Sequence, residues 1–237
     1  MHCLIIAAGF GSRLRDISPS KPLTPVGGRP LIAQVIARAA AGGASRFTVV
    51  TGYEGDRVEA FLRDLAADTG ISIDTVRVAD WSLPNGHSVL AGAESITGDF
   101  LLTMADHLID PAMVAGLIAR GSDGAGLVLA IDRDLANPLV DLDDVMKVST
   151  APDGAILAIG KDIATYDAFD TGLFLVTPAL IDAIRAAVAG GAAGSLSDGV
   201  QALARAGRAM THDVTGYGWI DVDDPAALAK AEAWLAA

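Results

Sequence analysis

Along the first 140 residues, short apolar runs alternate with longer amphipathic stretches. CLIIA at the start, FTVVT near 50, ISIDTVRVA after 70, FLLTM near 102 and GLVLAI near 129 read as strands. Near-continuous apolar runs of this length are what a sheet covered on both faces requires. Between them, PLIAQVIARAAA has Pro30 at its first turn and Gly42-Gly43 past its end, and DRVEAFLRDLAA repeats apolar positions at three and four residues. Both predict helices that cross over between parallel strands.

Beyond about residue 140 the rhythm changes. VMKVSTAPDGAILAIG and AFDTGLFLVT predict shorter strands, the first pair joined by a Pro152-Asp153-Gly154 turn. Helices are expected from Pro178 and from Ser195, whose Ser-x-x-Asp opening is a capping-box pattern. The Ala- and Gly-rich stretch 189–194 reads as a flexible loop. With no internal repeat and no long linker, the expectation is one α/β domain over 1–237, its mostly parallel sheet extended by mixed strands.

Composition narrows the class. At 237 residues with 51% hydrophobic and 19% charged residues, the chain can bury a full core without staples. Cys3, the only cysteine, lies in the first strand and rules out an internal disulfide. Mean hydropathy is high at +0.43, yet no apolar run reaches the ~18 residues of a membrane helix. MHCLIIAAG lacks a basic leader and passes directly into a glycine loop, so a cytoplasmic protein without membrane insertion is expected. A net charge of -12 argues against nucleic-acid binding. Any phosphate bound must therefore be small and held locally.

Candidate chemistry begins at AAGFGSRL and KPL. Ala7, Ala8, Gly9, Gly11 and Ser12 form a loop after the first strand, with Arg13 just beyond and Lys21 eight residues later. Glycines let backbone N–H groups approach phosphate, and the two cations can offset charge on phosphoryl oxygens. The Walker pattern fails for want of Gly-Lys-Ser/Thr, and the Rossmann fingerprint fails because Leu14 stands at its third glycine. In MADH, Asp106 should sit at the carboxyl end of a strand, where open α/β sheets bind ligands. It suits Mg²⁺ or a helix cap, although Asp110 is better placed to cap. His107 has no histidine partner at ligand spacing. GWIDVDDP predicts Asp221 and Asp223 on one face of a strand, with Asp224 as the next helix cap.

Other segments have two readings. Asn85, Gly86 and Ser88 in PNGHS suit a base or ribose, or equally a surface turn capping a helix from His87. Thr51, at the end of the second strand, could line the same pocket. Lys161 in IGKD is a phosphate ligand or a solvated lysine; Lys147 is ambiguous. Asp170, Thr171 and Gly172 in FDTGLF offer a carboxylate and a backbone approach to acceptor hydroxyls, or a strand-end turn.

A strand, then Ala-Gly-x-Gly-x-Arg, then Lys-Pro resembles the signature of the GT-A-like nucleotidyltransferases, the MobA-like NTP transferases. The resemblance implies a three-layer α/β/α sandwich of Rossmann-like type, with about 1–140 binding the nucleotide and about 141–237 the acceptor. It implies an NTP and Mg²⁺ as reactant and cofactor, with Asp106 and Asp221 as metal ligands and Asp223 a further contributor. Arg13 and Lys21 would then be catalytic, and Lys161 would grip the acceptor phosphate. NGHSVL, MADH, IGKD, AFDTGLF and GWIDVD look like the branch that joins CTP to inositol 1-phosphate, often fused to a membrane synthase. Related enzymes take phosphocholine, aminoalkyl phosphonates or sugar 1-phosphates, and a silent nucleotide-binding regulator is the non-enzyme alternative. A homo-oligomer is compatible with all of these.

Overall fold

A computed structural model describes residues 1–236. The first half contains β1 (His2–Ala7), β2 (Pro25–Val26), β3 (Arg29–Pro30), α1 (Leu31–Ala41), β4 (Arg46–Thr51), α2 (Gly55–Thr69) and β5 (Ser72–Arg77). There follow α3 (Asn85–Ala93), β6 (Phe100–Met104), β7 (His107–Ile109), α4 (Pro111–Arg120) and β8 (Leu127–Asp132). The remainder is β9 (Lys147–Thr150), β10 (Ile156–Gly160), β11 (Ala168–Val176), α5 (Pro178–Ala189), α6 (Leu196–Arg205), β12 (Ala209–Asp213), β13 (Trp219–Asp221) and α7 (Pro225–Ala236).

Each apolar run expected to be a strand is one, and the caps follow their chemistry. Asp110 accepts from Ala112 N at 2.8 Å with Pro111 at the first helical position, and Ser195 and Asp198 complete the capping box. α1 buries Leu31, Ile32, Val35, Ile36 and Ala39, a single stripe at helical period.

The main sheet has nine strands in the order β10-β9-β11-β6-β1-β4-β5, with β8 paired to β11 and β12 to β8. β6, β1, β4 and β5 are parallel; β11 runs antiparallel to β6, β8 and β9. Alternation along β1 divides the core in two. Cys3, Ile5 and Ala7 face a cluster closed by α1, α2, α4 and α7, whereas Leu4, Ile6 and Ala8 face one closed by α3, α5 and α6. This is the three-layer α/β/α sandwich.

Two features position the site. β1 and β6 are parallel neighbours with Ile6 opposite Met104, so the loops that follow them emerge side by side. A separate ribbon pairs β13 with β7 and sets Asp221 directly opposite His107. Phe174 of β11, 1% exposed between β6 and β8, ties the parallel and antiparallel parts together. Phe174→Ala should cost about 3–5 kcal/mol, whereas Leu157→Ala, at a position 59% exposed, should stay within about 0.5 kcal/mol of the parent. Chemical denaturation of the two variants measures both.

Candidate active site

The glycine loop is shaped by what lies beneath and beside it. Gly11 sits in the left-handed region at φ 61°, and Leu14, at the end of the following 3₁₀ turn, is fully buried and anchors it. A β-carbon on Gly11 would run into the Cβ of Lys21. The lysine stem therefore passes directly under the loop. Gly9 has no neighbour within 4 Å of such an atom, so its bare backbone faces open space.

Beyond that loop, six side chains form a chain of alternating charge. Lys21 Nζ donates to Asp106 Oδ2 at 2.5 Å and also to Asp223 Oδ1. The other oxygen of Asp223 accepts from Arg13 Nη2 at 2.6 Å, and the same guanidinium nitrogen reaches Asp144 Oδ2 at 2.6 Å. Lys161 Nζ bonds the remaining oxygen of Asp144. The run Asp106–Lys21–Asp223–Arg13–Asp144–Lys161 links five regions of sequence into one site.

This chain of charges lies between two hollows. One, of about 270 Å³, is lined by Ala7, Gly9, Gly11, Ser12, Lys21 and Asp106. The other, of about 430 Å³, is lined by His107, Asp170, Asp221 and Lys161 on its polar side and by apolar side chains such as Leu139 and Val140 opposite. Arg13 and Asp223 border both.

Burial and charge set the ionisation states. Burial alone would lower Lys21, but Asp106, Asp221 and Asp223 outweigh it and raise the lysine, which stays charged. Burial opposes ionisation of Asp106 as well, and Lys21 with His107 overcomes it, holding the carboxyl far below its ordinary value. His107 Nδ1 lies 2.7 Å from Asp106 Oδ1 and 3.9 Å from Asp221 Oδ1. Against the effect of burial, Asp221, Asp106 and Asp170 raise this imidazole to about 9. Burial pushes Asp221 up to about 7 and Asp170 to about 6.

Asp106, His107 and Asp221 can each turn one donor atom to within 4.8 Å of the others. Asp221 Oδ1 is buried with no hydrogen-bond partner, an arrangement that costs stability unless a cation or donor occupies it. Two carboxylates are the hard oxygen ligands that a divalent ion such as Mg²⁺ takes.

Several of the expected residues have protein partners of their own. Thr51 is buried beside Glu59 and Arg77, its hydroxyl donating to Glu59 Oε1 at 2.5 Å. Asn85 Oδ1 accepts from Leu196 N at 2.8 Å, and a β-carbon on Gly86 would strike the Gly194 carbonyl. The PNGHS segment, with buried Ser88, thus ties the start of α3 to the 189–194 loop. Thr171 donates to Ala130 O at 2.9 Å inside the sheet. Gly172, at φ 74° in a bulge of β11, leaves space that the His107 ring fills, while its N–H bonds Asp170 Oδ1 at 2.7 Å. β13 ends at Asp221, so Asp223 reaches Lys21 from the loop beyond rather than from the same strand face. Lys147 donates to the Lys161 carbonyl at 2.9 Å and so supports that lysine's loop.

Asp144 belongs to the site without a sequence signal. It lies in the run DLDDV of the irregular 133–146 segment. Beside the glycine loop, Phe10 stacks on Trp81 with ring centres 5.6 Å apart, Tyr53 meets both edge-on, and Arg15 lies 4.5 Å over Phe10. This aromatic box holds the loop against the ends of β4 and β5.

Residues 3–196 match the model of the MobA-like NTP transferase domain. The chain belongs to the MobA-like NTP transferase family. Among relatives of this family, the bifunctional IPC transferase and DIPP synthase of Rubrobacter xylanophilus is 32% identical over 231 residues, covering 96% of this chain and 50% of that protein. The CMP-5'-(3-aminopropyl)phosphonate synthase of Streptomyces rubellomurinus is 30% identical over 247 residues, covering 95% of this chain and 37% of that one. The chain thus spans about half the length, or less, of these curated relatives. In structure, the inositol-1-phosphate CTP transferase from T. maritima superposes with a TM-score of 0.84 over 98% of this chain and 96% of that one, at 22% identity. That likeness carries the GT-A-like fold of the family. No helix among the described residues is long and apolar enough to cross a membrane.

The two glycines of the family loop should respond differently. Gly11→Ala combines a positive φ with a collision against Lys21 and should cost about 1–3 kcal/mol. Gly9→Ala meets nothing and should stay within about 0.5 kcal/mol. Thermal unfolding without ligands separates them.

Proposed function

We propose that this MobA-like NTP transferase moves CMP from CTP to inositol 1-phosphate and releases pyrophosphate, with Mg²⁺ bound. The observation that carries this reading is the charge chain from Lys21 to Lys161, which joins a glycine-lined hollow to a larger cleft with one polar and one apolar wall. The first suits a triphosphate, whose oxygens can meet the backbone of Gly9 and Gly11 and the ammonium of Lys21. The second suits a phosphorylated polyol, its phosphate toward Arg13 and Lys161 and its hydroxyls toward Asp170 and Asp141, which line that cleft.

Chemistry at this junction needs little acid–base help. A phosphomonoester has its second pKa near 6 and arrives as an ionised nucleophile. Its oxygen attacks the α-phosphorus, the bond to the β-phosphate oxygen breaks, and pyrophosphate leaves with that electron pair. Arg13, on the border of both hollows, is placed to hold the incoming phosphate and the transferring group in one orientation. Lys21, kept cationic by its three aspartates, offsets charge on the transferring and leaving oxygens. Asp106 and Asp221 would hold Mg²⁺, which supplies charge neutralisation at the triphosphate when bound. His107 fixes the rotamer of Asp106 and counters the charge of the carboxylate pair.

Acceptor choice follows from the walls. A trimethylammonium group calls for an aromatic cage, and Trp219 is the aromatic residue on the cleft wall, its indole N–H committed to Asp132 at 2.9 Å. Phosphocholine is therefore poorly served. A second reading, an aminoalkyl phosphonate, draws support from the carboxylates of Asp141, Asp144 and Asp170 in the cleft, any of which could receive an ammonium. Sugar 1-phosphates share the hydroxyl chemistry, and an acceptor series distinguishes all of these. The protein would work in the cytoplasm, where CTP is found.

Purified protein given Mg²⁺, CTP and inositol 1-phosphate should release pyrophosphate, and chelating the metal should stop it. Lys21→Ala and Asp106→Ala should each lower turnover about 100-fold or more while retaining a cooperative unfolding transition. Nucleotide binding without pyrophosphate release, across polyol, choline, aminoalkyl and sugar acceptors, would instead identify a silent regulator.

A further inference from the structure

Asp132, the last residue of β8, is a buried acid outside the charge chain, 1% exposed and not among the residues that line either hollow. Its partners are neutral donors. Oδ1 accepts from Asp134 N at 2.9 Å, and Oδ2 accepts both from the Asn137 side-chain amide at 2.8 Å and from the Trp219 indole at 2.9 Å. Burial of a carboxylate opposes folding, and an apolar side chain would fill the same space without that penalty. What the three directed bonds add is a fixed placement of the groups that donate them.

Both side-chain donors belong to the wall of the larger cleft. Trp219 lines it directly. Asn137 passes the restraint to its neighbours: its Oδ1 accepts from Leu139 N at 3.0 Å, and its carbonyl accepts from Val140 N at 3.2 Å. Leu139 and Val140 are the apolar residues facing the polar side of the cleft. Lys230 of α7 donates to the Pro138 carbonyl at 2.9 Å and anchors the same stretch from the side. The support behind Asp132 is firm, because β8 is buried along its whole length and paired with both β11 and β12. The strand that carries Trp219 has its own restraints. β13 pairs with β7, Asp110 N donates to the Gly218 carbonyl at 2.9 Å, and Val222 N donates to the Asp106 carbonyl at 2.9 Å. Release of the indole therefore leaves Asp221 where it is.

We propose that Asp132 is a positioning residue for the acceptor: by holding the Trp219 indole and the Asn137 amide together from behind, it sets where the apolar wall of the cleft stands. The acceptor's carbon frame packs between that wall and the acids opposite, so a displaced wall weakens its hold. None of the three bonds reaches the glycine loop, Lys21 or Asp106, and the nucleotide is bound as before. The assignment takes from the proposed reaction only that the acceptor enters this cleft.

Asp132→Asn keeps the shape and turns one acceptor toward N–H groups as a donor. In turnover assays with CTP and inositol 1-phosphate, or whichever phosphorylated acceptor the parent uses, it should raise the acceptor KM about tenfold. The KM for CTP and kcat should stay unchanged. Asn137→Ala should act in the same direction, and the double variant should fall short of the product of the two effects, because both break one bond. Thr177→Val, which removes a buried bond to the Gly126 carbonyl beyond the far end of β8, should lower stability and leave the acceptor KM alone. In ligand-free, nitrogen-15-labelled protein, the Trp219 indole N–H signal, assigned by its loss in Trp219→Phe, should move in Asp132→Asn while those of Trp81 and Trp234 stay. An acceptor KM equal to the parent's in both Asp132→Asn and Asn137→Ala would overturn the role, as would an equal rise in the KM for CTP or an unmoved indole signal. A parent that turns over no acceptor would overturn the reaction and this role together; a working parent with an indifferent Asp132→Asn overturns the role alone.

Discussion

The ammonium of Lys21 is the constraint on which the site depends. It is 11% exposed and lies between two carboxylates that are 85 and 202 residues away in sequence. A cation buried to this degree is costly unless paired, and removal of one partner from such a cluster leaves the other charges uncompensated. Asp106, Asp221 and Asp223 around one lysine leave the local sum negative, and His107 together with Arg13 brings it back to neutrality. The glycine loop, the β6–β7 turn and the segment after β13 therefore cannot drift apart independently.

Much of this was legible in the sequence because it follows from local rules. A run such as CLIIA ending in glycines has few alternatives to a buried strand and a tight turn, and FLLTM before Asp106 sends that carboxylate to the same sheet edge. Lys21, Arg13, Asp106 and Asp221 were all candidates on type and position, and the fold brings them together. The caps at Asp110, Asp224 and Ser195 were readable for the same reason, each being a matter of a few adjacent residues.

What escaped the sequence depends on distant pairing. Asp144 lies in a stretch without period, and only the packing of the 133–146 segment across the cleft gives it two cations. Thr51 stood at the right end of the right strand, yet its hydroxyl turns to Glu59 on α2. Asn85 and Gly86 have the composition of a ligand loop, and their polar atoms and missing side chain instead admit the 189–194 loop. In each case the partner lies on another element of the fold, where a local pattern carries no signal for it. Alternation put Asp221 and Asp223 together for the wrong reason: the strand ends first, and Lys21 draws Asp223 in.

The aromatic box formed by Phe10, Tyr53, Trp81 and Arg15 bears on recognition in another way. A glycine-rich loop alone would sample many conformations, and a ligand would have to freeze one of them at an entropic cost. Here the residue between the two glycines is clamped face-to-face on an indole and roofed by a guanidinium, so the backbone donors flanking it are preorganised before any nucleotide arrives. Binding free energy that would otherwise go into ordering the loop remains available for discriminating between nucleotides.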